Sequence, residues 1–211
     1  MVLENPSNYL GEFGNRGSNE QYFHDKSFIV NGVVNKADGN LLRGFFVSEV
    51  ANSGIIIGPY PLYEIDVNQI SAHGVTAVIN LQTPIEIKQR GADVNEINSW
   101  YRQKGINTII NHPIDDTNEN SLYQGLLEGS ARLNQLMATG KNKVYVHCTS
   151  SVTRAPTLLN LYLCLYVKAV DWQSPMQVKS LIQYYHKPAY PNMKMVNQII
   201  NDNQSIQNAE F

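Results

Sequence analysis

The sequence predicts an α/β fold in which helices cover both faces of a central, mostly parallel sheet. Short β-branched segments, of which residues 75–81 are the strongest, alternate with longer segments whose apolar residues recur at helical spacing. Strands that alternate with helices in this way form parallel sheets, because each helix carries the chain back to the start of the next strand. The 211 residues, 43% of them hydrophobic, are enough for one well-cored domain with an appendage.

The predicted elements begin at Gly54, where the composition becomes regular. Four strands are expected, at residues 54–58, 75–81, 106–110 and 143–147. Helices are expected at residues 63–72, 122–137, 155–167, 176–185 and 193–200. Residues 85–104, interrupted near Gly91, are expected to form either a helix or a loop followed by a helix. The helix at 155–167 is apolar on most sides, so it is predicted to be buried together with Cys164, which has the role of a small core residue.

Residues 1–53 differ from the rest of the chain. They are rich in Asn, Gly, Ser and charged residues, and their apolar pieces are too isolated to build a core. We therefore divide the chain into an N-terminal extension or docking arm, residues 1–53, and a catalytic-type domain, residues 54–211. The extension is either partly disordered or an arm that packs on the domain or on a protein partner.

Composition excludes several function classes. A net charge of −2 and a pI of about 6.2 argue against nucleic-acid binding, which usually needs a basic face. The first residues lack the pattern of a secretory signal, and no apolar run reaches membrane-spanning length. Two cysteines are too few for a disulfide scaffold and fit a reducing compartment, so a cytoplasmic location is expected.

The most informative stretch is Val144–Pro156, which combines a buried strand, a loop of small residues and the start of a helix. Five residues separate Cys148 from Arg154 within it. We call residues 148–154 the anion loop, because backbone N–H groups in such a loop can surround a tetrahedral anion. The same groups and the helix dipole would favour a Cys148 thiolate, and Arg154 offers a planar fork for two phosphate oxygens.

With His147 directly before Cys148 and Arg154 six residues after it, the stretch resembles the signature of the cysteine-dependent dual-specificity phosphatases. The flanking residues look most like those of the plant starch-glucan phosphatases, which are laforin-like catalytic domains. The likeness runs from about Gly54 to Ile200 and is strong only from Val144 to Pro156. It implies a protein tyrosine phosphatase-like three-layer fold and a phosphatase that needs neither cofactor nor metal. It also implies that phosphate is bound by the loop residues, Thr149, Ser150, Ser151, Val152 and Thr153, with His147 in a supporting role.

The resemblance further implies a general acid, an aspartate on a loop about thirty residues before the cysteine. Asp116 occupies that distance, and Asp115 is the alternative. Cys148 would attack phosphorus in line while the aspartate protonates the leaving oxygen, and water would then hydrolyse the cysteinyl-phosphate. A solvated turn in which an aspartate helps to cap the next helix is the other interpretation of these residues.

The sequence departs from the family pattern inside the anion loop. The family has glycine at the third and usually the fifth position after the cysteine, where this chain has Ser151 and Thr153. Glycine there permits unusual backbone dihedrals, which cost other residues on the order of 1 kcal/mol or more. The loop residues 149–153 also include no lysine or arginine, which disfavours highly charged inositol lipids as substrates.

Two functions therefore stay open. One is a phosphatase acting on a phosphoprotein or a phosphoglucan. The other is a catalytically impaired phosphatase-fold subunit, with a structural or phosphate-reading role in a larger assembly such as a ciliary or organellar complex, reached through residues 1–53. Four aromatic residues are candidates for a glucan platform, although ordinary packing is the favoured interpretation of each: Tyr60, Tyr63, Trp100 and Tyr101.

Overall fold

The computed structural model describes residues 45–167 and 174–209, together with four two-residue strands between residues 29 and 42. These are β1 (Ile29–Val30), β2 (Val33–Val34), β3 (Lys36–Ala37) and β4 (Leu41–Leu42), and they form two antiparallel pairs, β1 with β2 and β3 with β4. Most of the predicted arm lies outside the described residues, so its docking role stays a prediction.

The domain is built on a five-stranded sheet. Its strands are β5 (Ser48–Glu49), β6 (Ile55–Gly58), β7 (Ala77–Asn80), β8 (Thr108–Asn111) and β9 (Val144–His147), in the order β5-β6-β9-β7-β8. All neighbouring pairs are parallel except β5 and β6, which are antiparallel. The prediction of a mostly parallel sheet is confirmed, and β9 occupies its centre.

Strand β5 is an addition to the predicted elements. It lies before Gly54, and the neighbouring side chains of Phe45 and Val50 are fully buried. The packed part of the chain therefore begins before residue 54, while the functional division at residue 53 stays a prediction.

Helices cover both faces of the sheet, as predicted. They are α1 (Glu64–Ala72), α2 (Pro84–Gln89), α3 (Val94–Gln103), α4 (Glu119–Met137), α5 (Arg154–Tyr162), α6 (Pro175–Tyr185) and α7 (Met193–Ala209). Helix α5 continues as a π-helix over Leu163–Val167. No helix in the described part of the chain is long and apolar enough to cross a membrane.

The strand residues alternate between two hydrophobic cores because successive side chains of a strand point to opposite faces. The larger core lies under α4 to α7 and includes Ile57, Ile79 and Val146 from the sheet. The smaller core lies under α1 and α3 and includes Val78 and Tyr145.

Helix α5 lies at the centre of the larger core, and every residue of it is buried. It packs closely on α4 at Gly129, where a Cβ atom would lie only 2.6 Å from Leu158 Cδ1. Residues 148–153 connect the carboxyl end of β9 to the start of α5. Packing thus fixes both ends of the anion loop at the edge where α/β sheets commonly bind ligands.

Candidate functional site

The anion loop connects the central strand β9 to the buried helix α5. Cys148 begins it as a free cysteine with 2% of its surface exposed. The backbone N–H groups of residues 149–153 donate no hydrogen bond to any other described residue. Unpaired N–H groups beside a helix N-terminus are able to bind an oxyanion, and the anion-binding role of these residues stays a prediction.

The two loop positions where the family has glycine differ in backbone conformation. Ser151 has φ 57°, in the left-handed region that glycine adopts without strain. Its side chain is fully buried, and the hydroxyl oxygen has no hydrogen-bond partner. Thr153 has φ −114° and ψ −69°, so its φ is an ordinary one for a threonine. The predicted strain is therefore present at Ser151, and the prediction is wrong for Thr153.

Residues that follow helix α6 support the loop from outside. The backbone N–H of Tyr190 donates a 2.6 Å hydrogen bond to the carbonyl oxygen of Val152. The ring of His186 faces the Ser151 backbone, stacks on Phe46 and has Nδ1 3.1 Å from Ser48 Oγ. Burial lowers the pKa of His186 to about 3, so this side chain is neutral at pH 7.

Arg154 is buried, with 6% of its side chain exposed, and its guanidinium group is held on several sides. Nη1 donates to the carbonyl oxygens of Ile114 at 3.0 Å and Leu81 at 3.3 Å, and to Glu86 Oε2 at 2.7 Å. Nη2 donates to Glu86 Oε1. Burial alone would lower the pKa of Arg154, but the hydrogen-bonded Glu86 and the nearby Cys148 raise it above its ordinary value. The group is therefore a permanent cation.

Glu86 is the partner that sequence reasoning missed. Its carboxylate also accepts from the Thr149 hydroxyl at 2.8 Å, so it joins both ends of the anion loop. Burial opposes its ionisation, but the bonds from Arg154, Thr83 and Thr149 lower the pKa of Glu86 to about 2. The sequence feature that could have pointed to Glu86 is Thr83-Pro84-Ile85-Glu86, a capping box that begins two residues after the predicted strand 75–81.

The two candidate aspartates have different surroundings. Asp116 Oδ2 lies 3.3 Å from Nε of Arg154, with 43% of the Asp116 side chain exposed. Asp115 instead accepts from the Thr117 hydroxyl at 2.7 Å and from its N–H at 3.0 Å. These two bonds hold the pKa of Asp115 below its ordinary value. The structure thus brings Asp116, and not Asp115, into contact with the arginine of the anion loop.

His147 is buried beside the loop without a charged partner of its own. Its Nδ1 lies 3.4 Å from the carbonyl oxygen of Cys148, and its ring stacks on Tyr145 with centroids 5.3 Å apart. Burial lowers the pKa of His147 to about 4, and Arg154 acts in the same direction. His147 is therefore a neutral side chain at pH 7 that packs behind the loop.

Solved phosphatases share this architecture. No protein-family model matches the chain. A kinase-associated phosphatase, solved with its catalytic-site cysteine replaced by serine, aligns with a TM-score of 0.60 at 18% identity over 77% of this chain and 96% of that chain. PTPMT1 aligns with a TM-score of 0.57 at 16% identity over 78% of this chain and 98% of its own. The chain has a protein tyrosine phosphatase-like fold.

A third neighbour within this fold is the human tyrosine phosphatase-like serine/threonine/tyrosine-interacting protein. It aligns with a TM-score of 0.57 at 18% identity over 76% of this chain and 97% of that chain. At these identities the structural alignments show the fold of the chain alone, and its closeness to the starch-glucan phosphatases stays a prediction.

The fold buries two of the four candidate aromatic residues, Tyr60 and Tyr101, and leaves Tyr63 and Trp100 partly exposed. Tyr60 and Tyr101 are 2% and 1% exposed, and Trp100 packs against the smaller core. Tyr63 immediately precedes α1. Ordinary packing is therefore the role of Tyr60, Trp100 and Tyr101. A cleft between α3 and the sheet is lined by Tyr101 and His147 together with carboxamide and apolar side chains, among them Gln82.

Metal ligands do not cluster in the described part of the chain: no three His, Cys, Asp or Glu side chains come together. The remaining candidate, Cys164, is half-buried in the π-helix after α5, where burial raises the pKa of its thiol to about 11. What the site offers chemically is a buried thiol, a set of unpaired N–H groups, a fixed guanidinium group and a half-exposed carboxylate.

Proposed function

We propose that this phosphatase-fold chain hydrolyses a phosphomonoester through a cysteinyl-phosphate intermediate. The observation that carries the proposal is the contact of Asp116 with Arg154, 3.3 Å from Oδ2 to Nε. It brings a carboxylate from the loop after β8 to the loop that begins with Cys148. This contact supports the proposed roles of Cys148 as nucleophile, Arg154 as anion-binding group and Asp116 as proton donor.

Each group has a defined part in the proposed reaction. The phosphate oxygens bind the N–H groups of residues 149–153 and the guanidinium group of Arg154. The Cys148 thiolate forms the S–P bond as the P–O bond to the leaving group breaks, and Asp116 gives that oxygen its proton. Water then attacks phosphorus with Asp116 as the base. The S–P bond breaks, which releases inorganic phosphate and restores the thiolate.

The substrate class is a phosphoprotein or a phosphoglucan, and the absence of basic residues at positions 149–153 supports a singly phosphorylated site over a highly charged head group. Comparing the rates of hydrolysis of phosphopeptides and of phosphorylated amylopectin would distinguish the two substrate classes. Residues 1–53 are proposed to hold a protein partner.

The test is hydrolysis of p-nitrophenyl phosphate by the full chain and by Cys148→Ser. We expect the substitution to abolish turnover, because a serine hydroxyl is a much weaker nucleophile than a cysteine sulfur. Cys164→Ser is the matched control, since this second cysteine lies in the π-helix after α5 and should leave the rate unchanged. A wild-type rate no higher than that of Cys148→Ser would contradict the proposal.

A catalytically impaired subunit of a larger assembly is the second candidate. Three observations favour it: the left-handed φ of 57° at Ser151, the 2% exposure of Cys148, and the two carboxylates already bound to Arg154. Such a protein would bind phosphate but would not hydrolyse a phosphomonoester. Phosphate binding in calorimetry with no hydrolysis of any phosphomonoester would support this function. A stable monomer whose residues 1–53 are cleaved readily by protease would argue against an assembly role.

A further inference from the structure

We infer that His186 is a positioning residue that acts through the carbonyl group of Ser151 to aim a backbone N–H of the anion loop at the bound oxyanion. Phe46 and Ser48, at the N-terminal edge of the sheet, hold the ring of His186 in place. The inference rests on the proposed function for the class of ligand, a phosphate oxyanion. It adds three residues outside the anion loop to the proposed site.

The direction of a backbone N–H group is tied to the carbonyl group of the preceding residue. The two belong to one planar trans peptide group and point in opposite directions, and the described part of the chain has no cis peptide bond. A contact that holds the carbonyl oxygen of Ser151 on the outer side of the loop therefore turns the N–H of Val152 inward. In the same way, an anchored carbonyl oxygen of Val152 turns the N–H of Thr153 inward.

The turn after α6 supplies a contact for each of these carbonyl groups. The N–H of Tyr190 donates to the carbonyl oxygen of Val152 at 2.6 Å. Burial lowers the pKa of His186, and the Ser151 backbone acts in the opposite direction. A carbonyl oxygen near the ring has that effect because it stabilises the protonated imidazole, whereas an N–H group would not. The turn is closed by a 2.9 Å bond from the N–H of Ala189 to the carbonyl oxygen of His186.

Ser48 leaves Nε2 of His186 for the contact with Ser151. Its Oγ lies 3.1 Å from Nδ1, and with Nδ1 as the acceptor of the serine hydroxyl the ring proton is on Nε2. Nε2 is buried and has no hydrogen-bond partner among the described residues. A buried donor without an acceptor costs free energy, so it favours the position of Ser151 that completes the bond. Binding of an oxyanion to the N–H of Val152 turns the same peptide group in the same direction.

The N-terminal edge of the sheet fixes the ring from its other side. Phe46 stacks on His186 with ring centroids 5.0 Å apart and 27° between the planes. The segment passes close to the carboxyl end of β6, because a Cβ atom at Gly58 would lie 2.9 Å from the carbonyl oxygen of Phe46 and 2.8 Å from Val47 Cγ1. The ring therefore stands on backbone with little room to move, and the segment that leads into β5 is coupled to the anion loop.

The first test is calorimetric binding of inorganic phosphate by the full chain. His186→Phe keeps a ring that can stack on Phe46 but has no nitrogen, and binding should weaken about 5- to 10-fold, within the range of one uncharged hydrogen bond. His186→Gln should lose less, because its amide N–H can replace Nε2. Ser48→Ala no longer fixes the tautomer of His186 and should weaken binding about 3-fold, the lower part of the same range.

Glu49→Gln is the matched control on strand β5. It removes the charge that pairs with Lys143 Nζ at 2.9 Å and so loosens the strand, while Ser48 and His186 are unchanged. Phosphate should bind within about 1.5-fold of wild type, because a partly exposed ion pair contributes little.

Nitrogen-15 NMR of the His186 ring is the second test. We expect a neutral ring with its proton on Nε2 in the wild type. Addition of phosphate should shift the Nε2–H proton signal downfield, as the bond to the Ser151 carbonyl oxygen shortens. In Ser48→Ala both tautomers should be populated. A side chain that only packed against its neighbours would have no fixed tautomer and would not respond to phosphate.

A wild-type ring with its proton on Nδ1 would overturn the inference, whether or not the chain is a phosphatase. Unchanged phosphate binding in His186→Phe and Ser48→Ala would do the same, and if His186→Phe does not fold, Ser48→Ala decides alone. An equal loss in Glu49→Gln and Ser48→Ala would assign the effect to the stability of β5 and also overturn it. An Nε2–H signal that responds to phosphate in a chain that hydrolyses no phosphomonoester would contradict the proposed function alone.

Discussion

Two regions of the anion-binding unit are held in opposite ways. The first, which we call the arginine anchor, comprises Glu86, Thr149 and Arg154, and its charged groups are linked by side-chain hydrogen bonds. The second, the loop crest, comprises residues 150–153, and the crest has unpaired backbone N–H groups and a left-handed residue, Ser151. The charged groups of the anchor are paired with one another, whereas the backbone donors of the crest have no acceptor among the described residues.

The difference offers a physical basis for the proposed anion site in a loop that has no glycine. Glycine in the crest would relieve strain at one position, and this chain instead combines a strained serine with a guanidinium group that is fixed from behind. Arg154 is buried but the Glu86 side chain is 25% exposed, so removing one partner should cost less than the roughly 3–5 kcal/mol of a fully buried pair. That cost is then comparable to the roughly 1–3 kcal/mol of one strained residue, and both regions influence the shape of the loop.

Among variants that keep Cys148, the largest effect is expected where the anchor meets the proposed chemistry, at Asp116→Asn. Turnover of an aryl phosphate should fall by about 100-fold or more, since an amide cannot donate the proton that the leaving oxygen needs. Phosphate should at the same time bind more tightly, because the carboxylate that competes for Nε of Arg154 has been removed. Steady-state kinetics and calorimetry would measure the two effects.

Asp115→Asn is the control for this prediction, because Asp115 is engaged by Thr117. A loss of turnover in Asp115→Asn that equals or exceeds the loss in Asp116→Asn would transfer the acid role to Asp115.

The sequence predicted the strands and the loop that carry the site, but it did not predict the contact of Glu86 with Arg154. Alternating β-branched and helical segments give the parallel strands, and the spacing of Cys148 and Arg154 gives the loop, because both are local patterns. The contact of Glu86 with Arg154 joins residues 68 positions apart, and a capping box by itself indicates only a helix start. Strand β5 was missed because two polar residues at a sheet edge have no periodic signal.

A smaller effect is expected on the pH dependence of folding stability, because a buried histidine lies behind each of the two regions. His147 lies next to Cys148, and His186 supports the crest. Their pKa values are lowered to about 4 and about 3 from 6.5. Both are neutral in the folded and unfolded states above pH 6.5, so their stabilising contribution is complete there. Below pH 6.5 the unfolded chain takes up protons that the folded chain excludes, and stability falls with pH until the folded pKa is reached.

Urea unfolding at pH 7, 6 and 5 would measure this dependence. Each histidine contributes a slope of up to about 1.4 kcal/mol per pH unit. His186→Gln should roughly halve the combined slope and leave the part that belongs to His147. A slope in His186→Gln as steep as in the wild type would show that His186 takes up its proton in the folded chain.

The smallest effect is expected on the free energy of unfolding when Ser151 and Thr153 are each replaced by glycine. Ser151→Gly should stabilise the chain by up to about 1 kcal/mol, because it removes left-handed strain and a buried hydroxyl oxygen without a partner. Thr153→Gly should destabilise it by about 0.5–1 kcal/mol, since φ is already negative there and glycine only adds freedom to the unfolded chain. Urea unfolding of both variants gives the comparison directly. If the two substitutions changed the free energy of unfolding equally, the backbone at Ser151 would not be strained. The comparison between a strained crest and an unstrained anchor would then fail.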